Sequence, residues 1–187
     1  MTQPSITEKR KPRIATAWLG GCSGCHMSFL DLDEQLIELS EMIELVYSPI
    51  ADVKVFPERV DIALVEGAVT NTENEELAHT IRKNSRFVIS FGDCATTGNV
   101  TALRNTFGVE ELQQRSYVEL AARNPGVPAD HVTLAMLLKT ARPLHEIIRV
   151  DAFLHGCPPS AGQIWYCLSE LLQGRTPELA PAYLRYG

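Results

Sequence analysis

The chain has 187 residues, of which 45% are hydrophobic and 21% are charged, and its formal net charge is -6 at pH 7. This length and balance predict one globular domain with a sizeable core, and the negative charge argues against nucleic-acid binding, which needs a basic face. The chain has no run of about 18 or more apolar residues, so no membrane-spanning helix is predicted.

The first twelve residues are predicted to form a flexible tail. They include most of a basic stretch at residues 9–13, but the apolar stretch that follows is shorter than the roughly 7–15 residues that a signal peptide uses. The chain is therefore expected to be cytoplasmic, with a domain that begins at Arg13. Its five cysteines are expected to be free thiols, because disulfides are rare in the cytoplasm.

Strand-like and helix-like stretches alternate along most of the chain. Strands are expected at residues 13–19, 43–48, 60–66, 86–91 and 147–154, where apolar residues form short runs. Helices are expected at residues 28–42, 71–84, 94–104 and 160–173. This alternation predicts an α/β fold with an open parallel sheet of about five strands and helices on both faces.

The stretch from residue 106 to residue 145 interrupts the alternation. One helix is expected from Val109 to Ala122 and another from Asp130 to Thr140, with turn-forming residues between them. The stretch is longer than a connection needs, and it has more apolar side chains than one small helix would bury. We therefore predict a helical insertion that builds part of a partner surface, with coverage of the sheet edge as the alternative.

Four of the cysteines follow predicted strands and have glycines close by. Cys22 and Cys25 lie in the loop after the first strand, Cys94 follows the fourth strand and Cys157 follows the fifth. Ligands bind outside the carboxyl ends of parallel strands, so these thiols are expected to meet at that edge of the sheet. Cys167 lies inside the last predicted helix and is interpreted as a small buried hydrophobic residue.

Four thiolates can bind either zinc or an iron–sulfur cluster. Structural zinc sites usually use two close pairs of cysteines, whereas this chain has the spacing C-x2-C-x68-C-x62-C, with one close pair. Such a wide cradle favours a cluster, and nearby glycines would let backbone N–H groups approach the sulfur atoms. Those glycines are Gly20, Gly21, Gly24, Gly92, Gly98 and Gly156, and the final loop is stiffened by Pro158 and Pro159.

The polar residues near these motifs are interpreted as surface or supporting side chains and not as metal ligands. Glu66 ends the third predicted strand and is interpreted, from its residue type, as a surface carboxylate. His26 and His155 flank ligand cysteines, where they are expected to support the ligands or to face solvent. Three arginines are interpreted as solvated helix charges: Arg104, Arg115 and Arg123.

Four motifs together resemble the small subunit of nickel–iron hydrogenases. They are WLGGCSGC at residues 18–25, ALVEGAV at 63–69, GDCATTG at 92–98 and VDAFLHGCPP at 150–159. The resemblance implies a flavodoxin-like domain with one 4Fe–4S cluster, whose ligands are Cys22, Cys25, Cys94 and Cys157. It also implies that Glu66 lies near the cluster and the subunit interface, with a part in proton movement.

The resemblance also carries expectations about partners. The nickel–iron site belongs to the large subunit, so this chain is not expected to cleave hydrogen alone. Many respiratory small subunits continue into a domain with two further clusters, whereas this chain stops at Gly187. That short form is similar to the small subunit of cytoplasmic bidirectional NAD(P)-linked hydrogenases, in which diaphorase subunits carry flavin, iron–sulfur clusters and the NAD(P) site. His155 stands where relatives often have proline.

Three alternative functions are weighed against this one. A complex-I-like or membrane-hydrogenase subunit would carry the same cluster, but the complex I relative has adjacent cysteines where this chain has Cys22 and Cys25 separated by two residues. A zinc-stabilised module would have no redox function. A flavodoxin-like flavin carrier is disfavoured because the first loop lacks a phosphate cradle rich in serine and threonine. The predicted function is therefore electron transfer between a nickel–iron site and a diaphorase.

Overall fold

The computed structural model describes residues 10–130 and 132–178. The strands of these residues are β1 (Arg13–Trp18), β2 (Glu44–Tyr47), β3 (Val60–Glu66), β4 (Val69–Asn71), β5 (Ser85–Phe91), β6 (Leu137–Arg142) and β7 (Ala152–Leu154). Five of them form a parallel sheet in the order β2-β1-β3-β5-β7, and β4 pairs with β6 in a separate antiparallel ribbon. The predicted open parallel sheet is confirmed.

Helices connect these strands. They are α1 (Gly24–Leu30), α2 (Gln35–Met42), α3 (Thr72–Asn84), α4 (Asp93–Thr97), α5 (Asn99–Ala102), α6 (Val109–Gln114) and α7 (Ala161–Leu172). Short 3-10 turns occupy Leu103–Thr106 and Leu144–Glu146, and a π turn occupies Arg115–Glu119. Within the two described ranges, none of the helices has both the length and the apolar character needed to cross a membrane.

The central strand β3 is buried on both of its faces, as its nearly continuous apolar sequence predicts. It pairs with β1 on one side and with β5 on the other. Trp18 of β1 is level with Glu66 of β3, and Glu66 is level with Phe91 of β5. The carboxyl ends of three neighbouring strands therefore lie side by side, and the loops that follow them share one edge of the sheet.

Alternate side chains of the sheet pack into two separate cores. On one face, alanine and valine side chains of β1, β3 and β5 pack against Ala78 and Ile81 of α3. On the other face, Leu64 and Phe91 pack against α1, α2 and α7, which contribute Phe29, Leu39 and Ile164. Helices therefore cover both faces of the sheet, as predicted.

Two predicted helices begin at the expected residues. The Asn71 side chain accepts a hydrogen bond from the Asn74 N–H at 2.8 Å and starts α3. Ser160 and Gln163 form a reciprocal capping box at the start of α7, which places Cys157 just before a firmly anchored helix.

The helix predicted at residues 28–42 is wrong in two respects, because the structure has two helices there and the first begins at Gly24, so that Cys25 lies in a helix. The backbone of Asp33 lies in the left-handed region with a φ of 49°, and this conformation interrupts the helix between α1 and α2. Both helices still bury the predicted apolar face, since Phe29, Leu32 and Leu39 are buried.

The helix predicted from Asp130 to Thr140 is wrong, because its second half belongs to strand β6. Asp130, the predicted cap of this helix, caps only a turn. Its carboxylate accepts hydrogen bonds from the backbone N–H groups of Val132 and Thr133. His131 lies outside the described residues. Beyond the turn, pairing with β4 supplies the backbone hydrogen bonds that a helix would have made.

Other boundaries differ by a few residues. The helix predicted from Val109 to Ala122 is α6 followed by the π turn, and it ends at Glu119. The strand predicted at residues 147–154 is shorter, because the N–H groups of Ile147 and Ile148 both bond to the Leu144 carbonyl. Residues 1–9 of the predicted tail lie outside the described residues, while Arg10 forms an ion pair with Asp61 at 2.8 Å.

Candidate metal centre

A small cavity opens at the carboxyl ends of the central strands. Cys22, Cys25, Cys94 and Cys157 all line it, together with Glu66. Its volume is about 70 Å³, several times the roughly 10–15 Å³ that one water molecule needs. The structure thus brings the four predicted ligand residues around one space.

The first cysteine loop is fastened to the end of β3. Gly20 and Ala68 exchange backbone hydrogen bonds of 2.9 and 2.8 Å across the gap between the two segments. Gly67 has a φ of 87°, and a Cβ atom there would lie 2.8 Å from the Leu19 carbonyl carbon. This close approach needs glycine and holds the loop of Cys22 in place.

The loops of Cys94 and Cys157 are bonded to each other. The Asp93 N–H donates to the Gly156 carbonyl at 2.9 Å, and the Gly156 N–H donates to the Asp93 carboxylate at 2.8 Å. The Ser28 hydroxyl of α1 donates to the Pro159 carbonyl and joins the final loop to the helix that carries Cys25. The cavity wall is therefore a network of tertiary contacts.

Gly92 lies where the first and second cysteine loops touch. Its φ is 81°, and a Cβ atom added there would lie only 2.1 Å from the Cys25 sulfur. No other residue could occupy this position without displacing that thiol, so the sulfur position depends on the absence of a side chain at Gly92.

The cavity is electrostatically unfavourable for four thiolates alone. Burial raises the pKa of Cys25 well above its usual range, and the negative charges of Glu66 and the neighbouring cysteines raise it further. Burial is also the largest cause of the raised pKa of Cys94, followed by the charges of Cys157 and Cys22. Positive charge placed between the sulfur atoms would relieve this repulsion, so the donor set fits the iron ions of a cluster.

Glu66 and His26 form a buried pair beside the cavity. Glu66 is 2% exposed, so its interpretation as a surface carboxylate is wrong. One carboxylate oxygen accepts a 2.7 Å hydrogen bond from the His26 backbone N–H and lies 2.7 Å from His26 Nδ1. The His26 ring packs against Trp18, and its Nε2 has no hydrogen-bond partner among the described residues. His26 therefore supports the first cysteine loop from inside the core.

Cys167, His155 and the three predicted arginines do not line the cavity. Cys167 is 3% exposed within the core, which confirms its predicted burial, and this burial raises its pKa to about 12. His155 is half-buried and stacks on Phe153. Arg104 is only partly exposed and donates to backbone carbonyls of both ribbon strands, so its interpretation as a solvated charge is wrong. Arg115 and Arg123 are exposed as predicted, but Arg123 lies in a bend and not in a helix.

Two residues of the site have no counterpart among the sequence predictions. Asp93 bonds to the loop of Cys157, and the Asn99 side chain donates a hydrogen bond to the Cys157 sulfur at 3.3 Å. Both belong to the segment around Cys94, but their targets are about 60 residues further along the chain. The only local signal is that Asn99 follows Gly98, a pairing typical of left-handed turns.

The fold and the cavity together define a class of protein: parallel α/β domains with a four-thiol centre at the carboxyl edge of the sheet. The chain belongs to the family described as NADH ubiquinone oxidoreductase, 20 kDa subunit, which matches residues 22–171. That range contains all four cysteines of the cavity.

Individual relatives are hydrogenase subunits. The chain is 37% identical over 188 residues to the NAD-reducing hydrogenase HoxS subunit delta of Cupriavidus necator, covering 98% of this chain and 90% of the relative. It is 38% identical to a subunit of the F420-non-reducing hydrogenase vhu of Methanocaldococcus jannaschii over 89% of this chain, but it spans only 58% of that relative.

A solved structure supports the same relationship. A chain of an NAD+-reducing nickel–iron hydrogenase in its H2-reduced state matches with a TM-score of 0.91 and 45% identity, covering 95% of this chain and 100% of that one. The predicted resemblance to nickel–iron hydrogenases is therefore confirmed by both sequence and fold.

Proposed function

We propose that this chain is the electron-transfer small subunit of a NAD(P)-reducing nickel–iron hydrogenase. In this proposal Cys22, Cys25, Cys94 and Cys157 hold one 4Fe–4S cluster. The observation that carries it is the convergence of four thiols, from the segments that follow β1, β5 and β7, around one cavity. The relationship to NAD-reducing hydrogenases supports the proposed electron acceptor.

A 4Fe–4S cluster bound in the cavity supplies one-electron redox chemistry. The four cysteines that would hold it differ in exposure, since Cys25 and Cys94 are half-buried whereas Cys22 and Cys157 are exposed. The exposed pair places one side of the site at the protein surface, where a partner subunit can approach closely. Glycine-rich loops bonded to one another keep the ligand positions fixed as the charge of the site changes.

The geometry is less suitable for the alternative of a zinc module. Zinc needs four ligands within about 2.0–2.3 Å of one ion. Among residues 10–130 and 132–178, no group of three or more His, Cys, Asp or Glu side chains is arranged to hold a single metal ion. A complex-I-like subunit shares the family, but the separated Cys22 and Cys25 and the hydrogenase relatives favour the hydrogenase function.

The proposed function requires partner subunits. In the proposal, a large subunit holds the nickel–iron site and cleaves hydrogen, and diaphorase subunits hold flavin, further iron–sulfur clusters and the NAD(P) site. This chain then receives electrons at the exposed side of its cavity and passes them to the diaphorase. It does not act on hydrogen by itself.

Metal analysis tests the proposal directly. The chain, isolated anaerobically with its partners, is expected to be brown and to contain about four irons and four acid-labile sulfides at this site, the content of one cubane. Iron and sulfide should be counted on the small subunit after separation under anaerobic, non-denaturing conditions. Stoichiometric zinc without labile sulfide would contradict the proposal, and a yellow flavin chromophore on this chain would favour the flavin carrier.

We further propose that Glu66 takes part in proton movement beside the cluster. Its carboxylate is buried, lines the thiol cavity and bonds to His26, which carries a second ring nitrogen with no partner among the described residues. A buried carboxyl group next to a redox site can hold a proton that accompanies the electron.

Replacing Glu66 with glutamine is expected to slow hydrogen oxidation by about a hundredfold, because the amide keeps the shape but cannot carry the proton. The visible absorbance of the cluster should stay unchanged. Glu76→Gln, an exposed change on α3, provides a matched control with wild-type turnover. Dye-linked hydrogen oxidation by the whole complex measures both variants, and equal rates would show that Glu66 has only a structural role.

We also propose that residues 106–145 form part of the diaphorase surface. Tyr117, Leu134 and Met136 line an apolar groove of about 440 Å³, and Val132 beside it is 98% exposed. Contiguous apolar surface of this kind is typical of protein interfaces. Asn71 of β4 and Leu137 of β6 also line the groove, so the antiparallel ribbon forms part of its wall.

A double substitution, Val132→Asp with Leu134→Asp, is expected to reduce hydrogen-dependent NAD(P) reduction by tenfold or more while hydrogen-dependent dye reduction persists. Two charges would remain unpaired in an apolar interface, which weakens association. Val55→Asp changes another exposed valine outside this stretch and should leave both activities intact. If both activities of the double variant survive together, the groove does not form part of the diaphorase surface.

A further inference from the structure

The Asn99 side chain reaches a proposed cluster ligand from a distant part of the chain. Its Nδ2 atom lies 3.3 Å from the Cys157 sulfur and donates a hydrogen bond to it. The two residues are 58 positions apart, so the bond is a tertiary contact between the segment after Cys94 and the last ligand loop. Asn99 is half-buried and Cys157 is exposed, so the bond lies at the surface side of the cavity.

The backbone holds Asn99 in a conformation that few residues adopt. Asn99 has a φ of 36°, and the preceding Gly98 has a φ of 84°. The Gly98 N–H donates to the Cys94 carbonyl at 3.0 Å, so the turn begins on the helix that carries one ligand and delivers a side chain to another. Asparagine tolerates the left-handed region better than most residues, and its amide is long enough to reach the sulfur.

Iron-bound cysteine sulfur has no proton, so it can only accept hydrogen bonds, and the amide of Asn99 must present its N–H. Such a bond strengthens as negative charge on the sulfur increases, which occurs when the site gains an electron. We propose that Asn99 is a positioning residue that raises the reduction potential of the centre through its hydrogen bond to Cys157. This inference rests on the proposed function, since it requires a cluster ligated by Cys157.

Replacing Asn99 with glycine removes the donor without straining the backbone, because glycine readily adopts a positive φ. Because the bond is stronger in the reduced state than in the oxidised state, its loss is expected to change the ratio of oxidised to reduced centre by about three- to tenfold. At 59 mV per tenfold for a one-electron couple, the midpoint potential should fall by about 30–60 mV. A redox titration of the whole complex, followed by electron paramagnetic resonance, measures this shift.

A second variant and a control separate the hydrogen bond from the turn. Asn99→Asp keeps the size and the tolerance for this backbone but replaces the donor with a negative charge, so the potential should fall further. Thr97→Ala removes the hydroxyl that accepts a hydrogen bond from the Asn99 backbone N–H. The side-chain amide of Asn99, which donates to Cys157, stays in place. The potential of this variant should match the wild type, and a shift equal to that of Asn99→Gly would overturn the inference.

The iron and sulfide content of the complex distinguishes a failure of the proposed function from a failure of the inference about Asn99. Wild-type complex without iron and sulfide at this site would overturn the proposed function, and the inference with it. Loaded Asn99 variants with wild-type potentials would overturn the inference alone and leave the proposed function intact. If Asn99→Gly does not load, Asn99→Asp decides the matter, and an unchanged potential in that variant counts against the role of Asn99.

Discussion

Cys94→Ala is expected to reduce the iron and sulfide of this site from about four of each to nearly none. Cys94 is the single cysteine of the segment after β5, and no fifth cysteine among the described residues lines the cavity to replace it. Losing a ligand also removes the folding free energy that metal binding supplies. Metal analysis and visible absorbance of the anaerobically purified complex measure the loss, and Cys22, Cys25 and Cys157 should behave alike.

Cys167→Ala is the matched control for the ligand variants. Cys167 is buried in the core beside Ile164 and Leu168, and it does not line the cavity. The substitution should leave the cluster signal unchanged and lower the free energy of unfolding by only about 1 kcal/mol, the cost of a small void. A cluster lost in Cys167→Ala but retained in Cys94→Ala would reverse the assignment of ligands.

Gly92→Ala is expected to prevent cluster loading although it changes no ligand. The added Cβ would lie 2.1 Å from the Cys25 sulfur, and the φ of 81° is unfavourable for alanine. Backbone strain alone should cost about 1–3 kcal/mol of the free energy of unfolding, and the displaced thiol adds the loss of one ligand position. Denaturant unfolding and iron content measure the two effects separately.

Gly162→Ala is the control that tests whether substitution of a glycine outside the cavity would also prevent cluster loading. A Cβ atom at Gly162 meets nothing within 4 Å, and the residue lies in the first turn of α7. Alanine should therefore stabilise the protein by up to about 1 kcal/mol through helix propensity and leave the iron content unchanged. Wild-type iron content in Gly92→Ala would mean that Cys25 does not depend on this contact.

The sheet and the positions of the thiols were predictable from sequence because local signals carry them. Apolar runs that end in glycine mark β1, β3 and β5, and parallel strands bring the following loops to one edge. The caps at Asn71 and Ser160 likewise depend on neighbouring residues alone. Cys167 could be placed in the core because its helix has an apolar face.

The errors arise where distant residues decide the structure. Strand β6 forms because it pairs with β4, which lies more than 60 residues earlier, and this pairing overrides the helical signal that begins at Asp130. Glu66 ends a strand like many surface carboxylates, and its burial follows from His26 folding over it. The residues around Asn99 indicate a left-handed turn, but they do not specify the contact with Cys157, which lies 58 residues further along the chain.

The thiol cavity also has a consequence for biosynthesis. Its wall joins the loop after the first strand to the loop after the last strand of the sheet, and Cys25 and Cys157 are separated by about 130 residues. At about 5–20 residues per second, a ribosome releases the fourth thiol roughly 7–26 seconds after the second. A nascent chain therefore carries an incomplete ligand set until Cys157 has been synthesised, and a centre that uses all four thiols can assemble only after that point, from thiols that have stayed reduced.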